Sequence, residues 1–198
     1  MEGGDKVREA ERPVVHIDRS QRQSRAYGLL LAAIRDPDPV VFLEPTRLYR
    51  VGREEVADDG QALDLDTCFV LREGGDLTFV SWGAMIHETM TAAEALAADG
   101  IAVEVIDVAT LNPFDPRLIL DSVAKTGRCV IVHEAPQTGG FGAEIAAHLA
   151  AEGLMALLAP VGRVTSYDTI VPLARLERAY MPDESRILTA ARRALDFA

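Results

Sequence analysis

The sequence is short of cysteine: Cys68 and Cys129 are its two, with no Cys-x-x-Cys pair and no Cys/His cluster. That scarcity excludes a disulfide scaffold and a thiolate metal site, and predicts two reduced thiols inside strands. Positive charge is also in deficit, 20 Lys and Arg against 31 Asp and Glu, for a net charge of −11. Phosphates would repel such a surface, so nucleic acid is not expected as a partner, whereas a basic protein would suit it. No apolar run has the length to cross a bilayer and no signal-peptide core opens the chain, so the expectation is a cytoplasmic protein with no membrane role. Nucleotide signatures are missing too. No Lys-Ser/Thr pair follows the glycines after Thr138, as a P-loop requires, and Gly140, Gly142 and Ile145 fail the third position of the dinucleotide fingerprint.

What is present is apolar material, 48% of 198 residues, enough for one domain and an appendage. Residues 1–24 are charged and poorly patterned, a mobile tail in which only Pro13–Ile17 could be strand. Ser24 reads as an N-cap, and Tyr27, Leu30, Leu31 and Ile34 as the apolar stripe of a helix that Asp36-Pro37-Asp38-Pro39 ends. Val40–Leu43 reads as a short buried strand, and 45–64 as a linker. From Leu65 onward strands and helices alternate. Strands are predicted at Cys68–Leu71, Leu77–Trp82, Val103–Val108, from Cys129, and near Val161–Val164. Helices carry Met85, Ile86, Met90, Ala93 and Ala97; Leu118, Ile119 and Val123 behind the Asp115-Pro116 cap; Ile145–Leu149; and Ile187, Leu188, Ala191 and Leu195. This alternation predicts an α/β fold of three layers, a mostly parallel sheet with helices on both faces over 65–198, preceded by a helix–strand remnant over 25–64.

The richest stretch runs from Arg128 to Glu144: a β-branched run, a charged pair, a proline, a glycine-rich turn and a helix start. Parallel topology brings its His133-Glu134 to one carboxyl edge with Trp82-Gly83, Asp107 and Tyr167-Asp168. Two readings stand. One is an imidazole among acids facing a crevice. The other is that Glu134 and Asp107 accept from loop amides while His133 fills an interface, which is favoured because no Ser, Cys or metal-ligand spacing completes a catalytic set. His87-Glu88 opens a helix and reads as structural, His148 as surface or interface, and His16 carries no signal. Asp36 and Asp38 are either hard oxygen ligands at a helix end or an Asx-type turn.

The run Gly28–Pro45 followed by Arg47-Leu48-Tyr49-Arg50 resembles the β subunit of thiamine-diphosphate-dependent 2-oxo acid dehydrogenases. The likeness continues through Val80–Gly83, Glu104–Asp107, His133–Pro136 with Thr138–Phe141, Arg163–Thr165 and Tyr167–Thr169. Ser81-Trp82-Gly83 and the His133–Phe141 element are most similar to the branched-chain (2-oxoisovalerate) enzyme, with the pyruvate enzyme next. The resemblance implies a transketolase-like C-terminal domain and only the last helix and strand of a pyrimidine-binding domain. The activating acid and catalytic histidine of that domain have no counterpart, so no catalytic or cofactor-binding residue is assigned and the isolated chain is expected to be inactive. Thiamine diphosphate and Mg2+ would be bound in the assembled heterotetramer alone. The implied partners are the α subunit of the same decarboxylating (E1) component, a second β subunit and the lipoyl acyltransferase (E2) core. Family members bind a structural potassium ion partly through the loop matching Ala33, Asp36 and Asp38, which would be half of such a site. His133, Glu134 and Phe141 are expected at or near subunit contacts. The acyltransferase docking neighbourhood corresponds to Leu158, Gly162 and Phe197, without the acids used elsewhere. A non-catalytic assembly or regulatory module is the alternative.

Overall fold

The computed structural model describes residues 14–16, 23–50 and 55–197. Most of the tail expected over 1–24, with Pro13 and Ile17, lies outside the described residues.

The main sheet has strand order β3 (Phe69–Arg72), β5 (Val103–Asp107), β4 (Leu77–Ser81), β7 (Cys129–Pro136) and β8 (Gly162–Ser166). All neighbours are parallel except the edge pair β3–β5. Central strands of this kind are covered on both faces and so read as continuous apolar runs rather than alternating ones. Every residue of β4 and β5 is buried. Their side chains still sort by the two-residue pleat. Phe79, Val103, Val105, Val130 and Val132 join α2 (Met85–Ala98) and α6 (Glu184–Leu195) on one face. Val80, Ile106, Cys129 and Ile131 join α3 (Arg117–Thr126) and α4 (Gly142–Glu152) on the other. The three expected layers are therefore present. The cap expected at Asp115-Pro116 needs correction: the helix starts one residue later, Pro116 rather than Asp115 stands at its N-cap with no side-chain cap bond, and Asp115 instead accepts from the Arg117 N–H at 3.0 Å in an Asx-type turn.

A second, three-stranded sheet has the order β2 (Val41–Leu43), β1 (Val14–His16), β6 (Thr110–Asn112). Only Val108 and Ala109 separate β5 from β6, and both are buried, with Ala109 at φ +40°. Asp107 Oδ1 accepts from the Ala109 N–H at 3.0 Å, which holds this joint.

Three further local expectations need correction. The strand at Val40–Leu43 is not buried: Val41 is 46% and Leu43 41% exposed. Among the described residues it sits at the end of the small sheet, with β1 on one side only. Helix α1 (Gln23–Arg35) begins before Ser24, so Ser24 is not its cap. Its large stripe is also not its docking face, since Leu30 is 36% and Ile34 70% exposed, whereas Ala26 and Leu29 are buried. Small residues let the backbone approach closely there. A Cβ on Gly28 would lie 2.8 Å from Leu63 Cγ. Finally, the stretch 45–64 is more than a surface linker, because the 3₁₀ turn Thr46–Arg50 buries Leu48. No helix among the described residues is long and apolar enough to cross a membrane.

Candidate functional site

Register fixes what meets at the carboxyl edge. Ser81 of β4 pairs with Asp107 of β5 and Val132 of β7, and His133 pairs with Thr165 of β8. Trp82, one step past β4, therefore lands beside His133, with ring centroids 5.1 Å apart and planes 14° from parallel. Phe141, which precedes α4, meets Trp82 edge-on at 6.0 Å and Phe114 edge-on at 5.2 Å. Phe114 in turn tilts over His148 at 5.5 Å. These contacts form a continuous aromatic row from α4 to β7. Each pair contributes roughly 0.5–1.5 kcal/mol beyond its area burial.

His133 is 1% exposed, and among the described residues neither ring nitrogen has a hydrogen bond of ordinary geometry. Burial pulls its pKa down to about 4, Arg163 adds to this, and a weak backbone interaction at Ala135 opposes it. The imidazole is neutral at pH 7. The glycine-rich turn is shaped to it: a Cβ on Gly140 would lie 2.5 Å from its Cε1, and one on Gly142 2.5 Å from its Cδ2 and Nε2. His133 therefore lies beneath this turn and not on the surface.

Glu134 is half-buried, and burial raises its pKa. Arg47 opposes that rise, while the charges of Glu88 and Glu177 add to it. Arg47 Nη1 stands 4.0 Å from Glu134 Oε1, and Nη2 bonds Glu88 Oε1 at the start of α2. The 3₁₀ turn after β2 is thereby tied across the carboxyl edge. Glu88 is structural as expected, in an ion pair, and His87 is exposed.

The remaining acids of the constellation hold loops. Asp107 accepts from Ala109 and lies 3.7 Å from Arg25. Asp168 accepts from the Thr138 N–H at 2.9 Å and hydroxyl at 2.7 Å, bonds that lower its pKa. Ser81 donates to the Val132 carbonyl. Burial pushes the Cys129 and Cys68 thiols up to about 12, so neither is a thiolate nucleophile at neutral pH. His148 is half-buried, flanked by Glu152 at 3.0 Å and Glu144 at 3.7 Å.

The loop of Ala33, Asp36 and Asp38 lies at the end of α1. Asp36 Oδ1 accepts from the Asp38 N–H at 2.9 Å, an Asx turn, and the Asp36 N–H donates to the Ala32 carbonyl. Among the described residues no group of three or more His, Cys, Asp or Glu could hold a metal ion. At Leu158, Gly162 and Phe197 the structure shows a groove of about 600 Å³ between β8 and α6, which Gly162 and Phe197 line. Leu158 lies beside it, 61% exposed, against Gly127.

Two features escape a reading of the sequence. Arg47 has no local pattern to mark it, since its partners are 41 and 87 positions away. The segment after β8 exposes Ile170 by 91%, Leu173 by 89% and Val171 by 66%, and its signal was an apolar run without helical or strand period.

The profile described as Transketolase, C-terminal domain matches residues 66–187. The pyruvate dehydrogenase E1 component subunit beta of Staphylococcus aureus is 44% identical over 172 residues, covering 87% of this chain and 53% of that protein. The subunit of the same name from Bacillus subtilis is 40% identical over 188 residues, covering 95% and 58%. Among solved structures, a split gene transketolase described as an inactive beta4 tetramer superposes with a TM-score of 0.73 at 29% identity, covering 94% of this chain and 58% of that one. The chain thus spans between 53% and 58% of the length of these relatives. The likeness to the β subunits of 2-oxo acid dehydrogenases is borne out, and the chain belongs to the transketolase C-terminal domain family.

Proposed function

We propose that this chain is the C-terminal portion of the β subunit of the decarboxylating component of a cytoplasmic 2-oxo acid dehydrogenase complex, and that its task is subunit assembly. The observation that carries this reading is 40–44% identity to pyruvate dehydrogenase β subunits across 87–95% of the chain. The assembled enzyme would oxidatively decarboxylate a 2-oxo acid on thiamine diphosphate with Mg2+ and pass the acyl group to lipoamide. Its partners would be the α subunit, a second β copy and the lipoyl acyltransferase core.

The named relatives favour pyruvate as substrate. The Ser81-Trp82-Gly83 and His133–Phe141 elements favour the branched-chain acid 2-oxoisovalerate. An assembly role without chemistry of its own is supported by the edge itself, where the imidazole is neutral and enclosed and the hydroxyls and acids described above serve the backbone. His133 and Phe141 shape the platform from within. The contacts with other subunits fall on Glu134 and on the exposed apolar segment through Ile170 and Leu173. Ala33, Asp36 and Asp38 would give half a potassium site through last-turn carbonyls and the Asp38 carboxylate, Asp36 Oδ1 being engaged in the turn.

Titrating the chain with thiamine diphosphate and Mg2+ tests this, first alone and then with the α subunit and a chain supplying the pyrimidine-binding half. Binding is expected in the full mixture only. Turnover of a 2-oxo acid by the chain alone would overturn the proposal, and absence of cofactor binding in every mixture would favour the non-catalytic module.

A further inference from the structure

Strand β2 is exposed although its residues suit burial. Pro39 and Pro45 bracket the run Val40-Val41-Phe42-Leu43-Glu44, which carries no charge before Glu44. Val40 and Phe42 pack against Ala26 and Leu29 of α1. The pleat turns Val41 and Leu43 to the opposite face, where they are 46% and 41% exposed. Among the described residues β2 has a strand neighbour on one side only, the parallel β1. Parallel strands are nearly always covered on both faces, and an edge left in water is normally protected by a charge, a proline or a bulge within the strand. Val41–Leu43 carries none of these.

The charges at the two ends of β2 select what can cover it. Asp36 and the exposed Asp38 lie just before the strand, and Arg47, whose side chain is 39% exposed, lies just after it. A second copy turned about a two-fold axis at Phe42 runs antiparallel, so the acidic end of each copy meets the Arg47 end of the other. A parallel pair would set Asp38 against Asp38. In the antiparallel pair Val41 stands opposite Leu43 of the second copy on the exposed face, and symmetry repeats that contact.

We propose that two copies of this chain associate edge to edge through β2, antiparallel about Phe42, and so join their three-stranded sheets into one continuous sheet. An interface this small is reversible rather than permanent. The proposal rests on this edge alone and not on the dehydrogenase reading, whose subunit contacts fall on Glu134 and the segment through Ile170.

The test uses the full chain at physiological salt, which screens the repulsion between two bodies of net charge −11 beyond about 8 Å. Sedimentation equilibrium over a wide range of concentration should show monomer and dimer in exchange. Val41→Lys should weaken the dimer about tenfold, because symmetry removes two cross-strand pairs at once and a lysine protects the edge. Leu43→Lys should act in the same direction. Thermal unfolding should show both variants folded, since both side chains are nearly half exposed. Ile170→Asp should leave the dimer intact. Crosslinking reads the register, and it remains decisive should a lysine variant fail to fold. Opposite Cα atoms in an antiparallel pair lie about 4.5–5.5 Å apart, within reach of a disulfide. Val41→Cys mixed with Leu43→Cys should therefore form a crosslinked dimer under mild oxidation, and neither variant alone should do so. The parent, with its half-buried Cys68 and buried Cys129, sets the background. A parent that stays monomeric at every concentration would overturn the proposal. So would a dimer that survives both lysine variants, one that Ile170→Asp dissociates, or a Val41→Cys chain that crosslinks to itself.

Discussion

Gly142→Ala separates two physical effects that predict opposite signs. Gly142 opens α4, where helix propensity alone favours alanine by up to about 1 kcal/mol. The added Cβ, however, would sit 2.5 Å from Cδ2 and Nε2 of His133 and 3.1 Å from Ile131 Cγ2. His133 cannot swing away, because it is fully buried and stacked on Trp82. Overpacking of a close-packed interior costs about 1–3 kcal/mol, and displacing the ring from Trp82 forfeits a further ~0.5–1.5 kcal/mol. The net is a loss of about 2 kcal/mol, or about 4–8 °C in Tm for a chain of this size. Urea and thermal unfolding measure it, and the double variant with His133→Ala sharpens it. Removing the ring should relieve the clash, so the pair should lose at least about 1 kcal/mol less than the sum of the single variants. A Gly142→Ala variant as stable as the parent, or strictly additive losses, would refute the argument that the turn is moulded to the imidazole.

The same imidazole predicts a pH dependence. Its folded pKa of about 4 lies below the ordinary 6.5, so the unfolded chain takes up its proton first. Stability should fall as pH drops from 6.5 towards 4, by up to about 3 kcal/mol, and His133→Phe should flatten that part of the profile in urea melts across pH. Lys125→Met would strand the buried Glu104, whose carboxyl is desolvated yet held below its usual range by Lys125, Ser122 and Glu73. The variant should be less stable than the parent at pH 7, with the loss shrinking as the pH falls and Glu104 protonates, again read by urea unfolding. Ile170→Asp and Leu173→Asp should leave Tm within about a degree or two while weakening association with the α subunit or a second copy in sedimentation, because both side chains are about nine-tenths exposed. Phe141→Asp is the poorer probe of that contact, since Phe141 braces Trp82 and Phe114 and its loss should lower Tm by itself. A thermal shift in KCl over NaCl that disappears in Asp38→Ala would support the potassium half-site, and no difference between the salts would remove it.

The sheet was legible because its strands are buried on both faces. Leu77–Ser81 reads as a covered strand from its apolar letters, whereas Val103–Asp107, interrupted by Glu104 and Asp107, is placed by its position between two helical patterns. Even the gathering of Trp82, Asp107, His133 and Asp168 at one edge follows from parallel order, since Trp82, Asp107 and Asp168 lie at or just past the end of a strand and His133, inside the longer β7, pairs with Thr165 near the end of β8. What the edge does with them did not follow. Sequence spacing cannot say that Trp82 stacks on His133, or that Asp168 is spent on Thr138, because both contacts join segments at least 30 positions apart. The docking face of α1 was misread for a related reason. Bulk usually marks the buried stripe, but here Gly28 and Ala26 lie inside and Ile34 outside. The burial of β2 failed because four apolar letters carry no information on whether a strand has one neighbour or two.

The joint at Val108 and Ala109 leaves no slack between the two sheets. Most connections of this kind loop over a surface and absorb motion there, whereas here both residues are enclosed and the Asp107 carboxylate clasps the backbone between them. A displacement of the small sheet must therefore arrive undamped at the end of β5, next to Ser81 and one strand from Val132. Whatever seizes the outer face of β2 thus takes hold of the platform under Trp82 and His133 as well, as a lever does through a rigid pin.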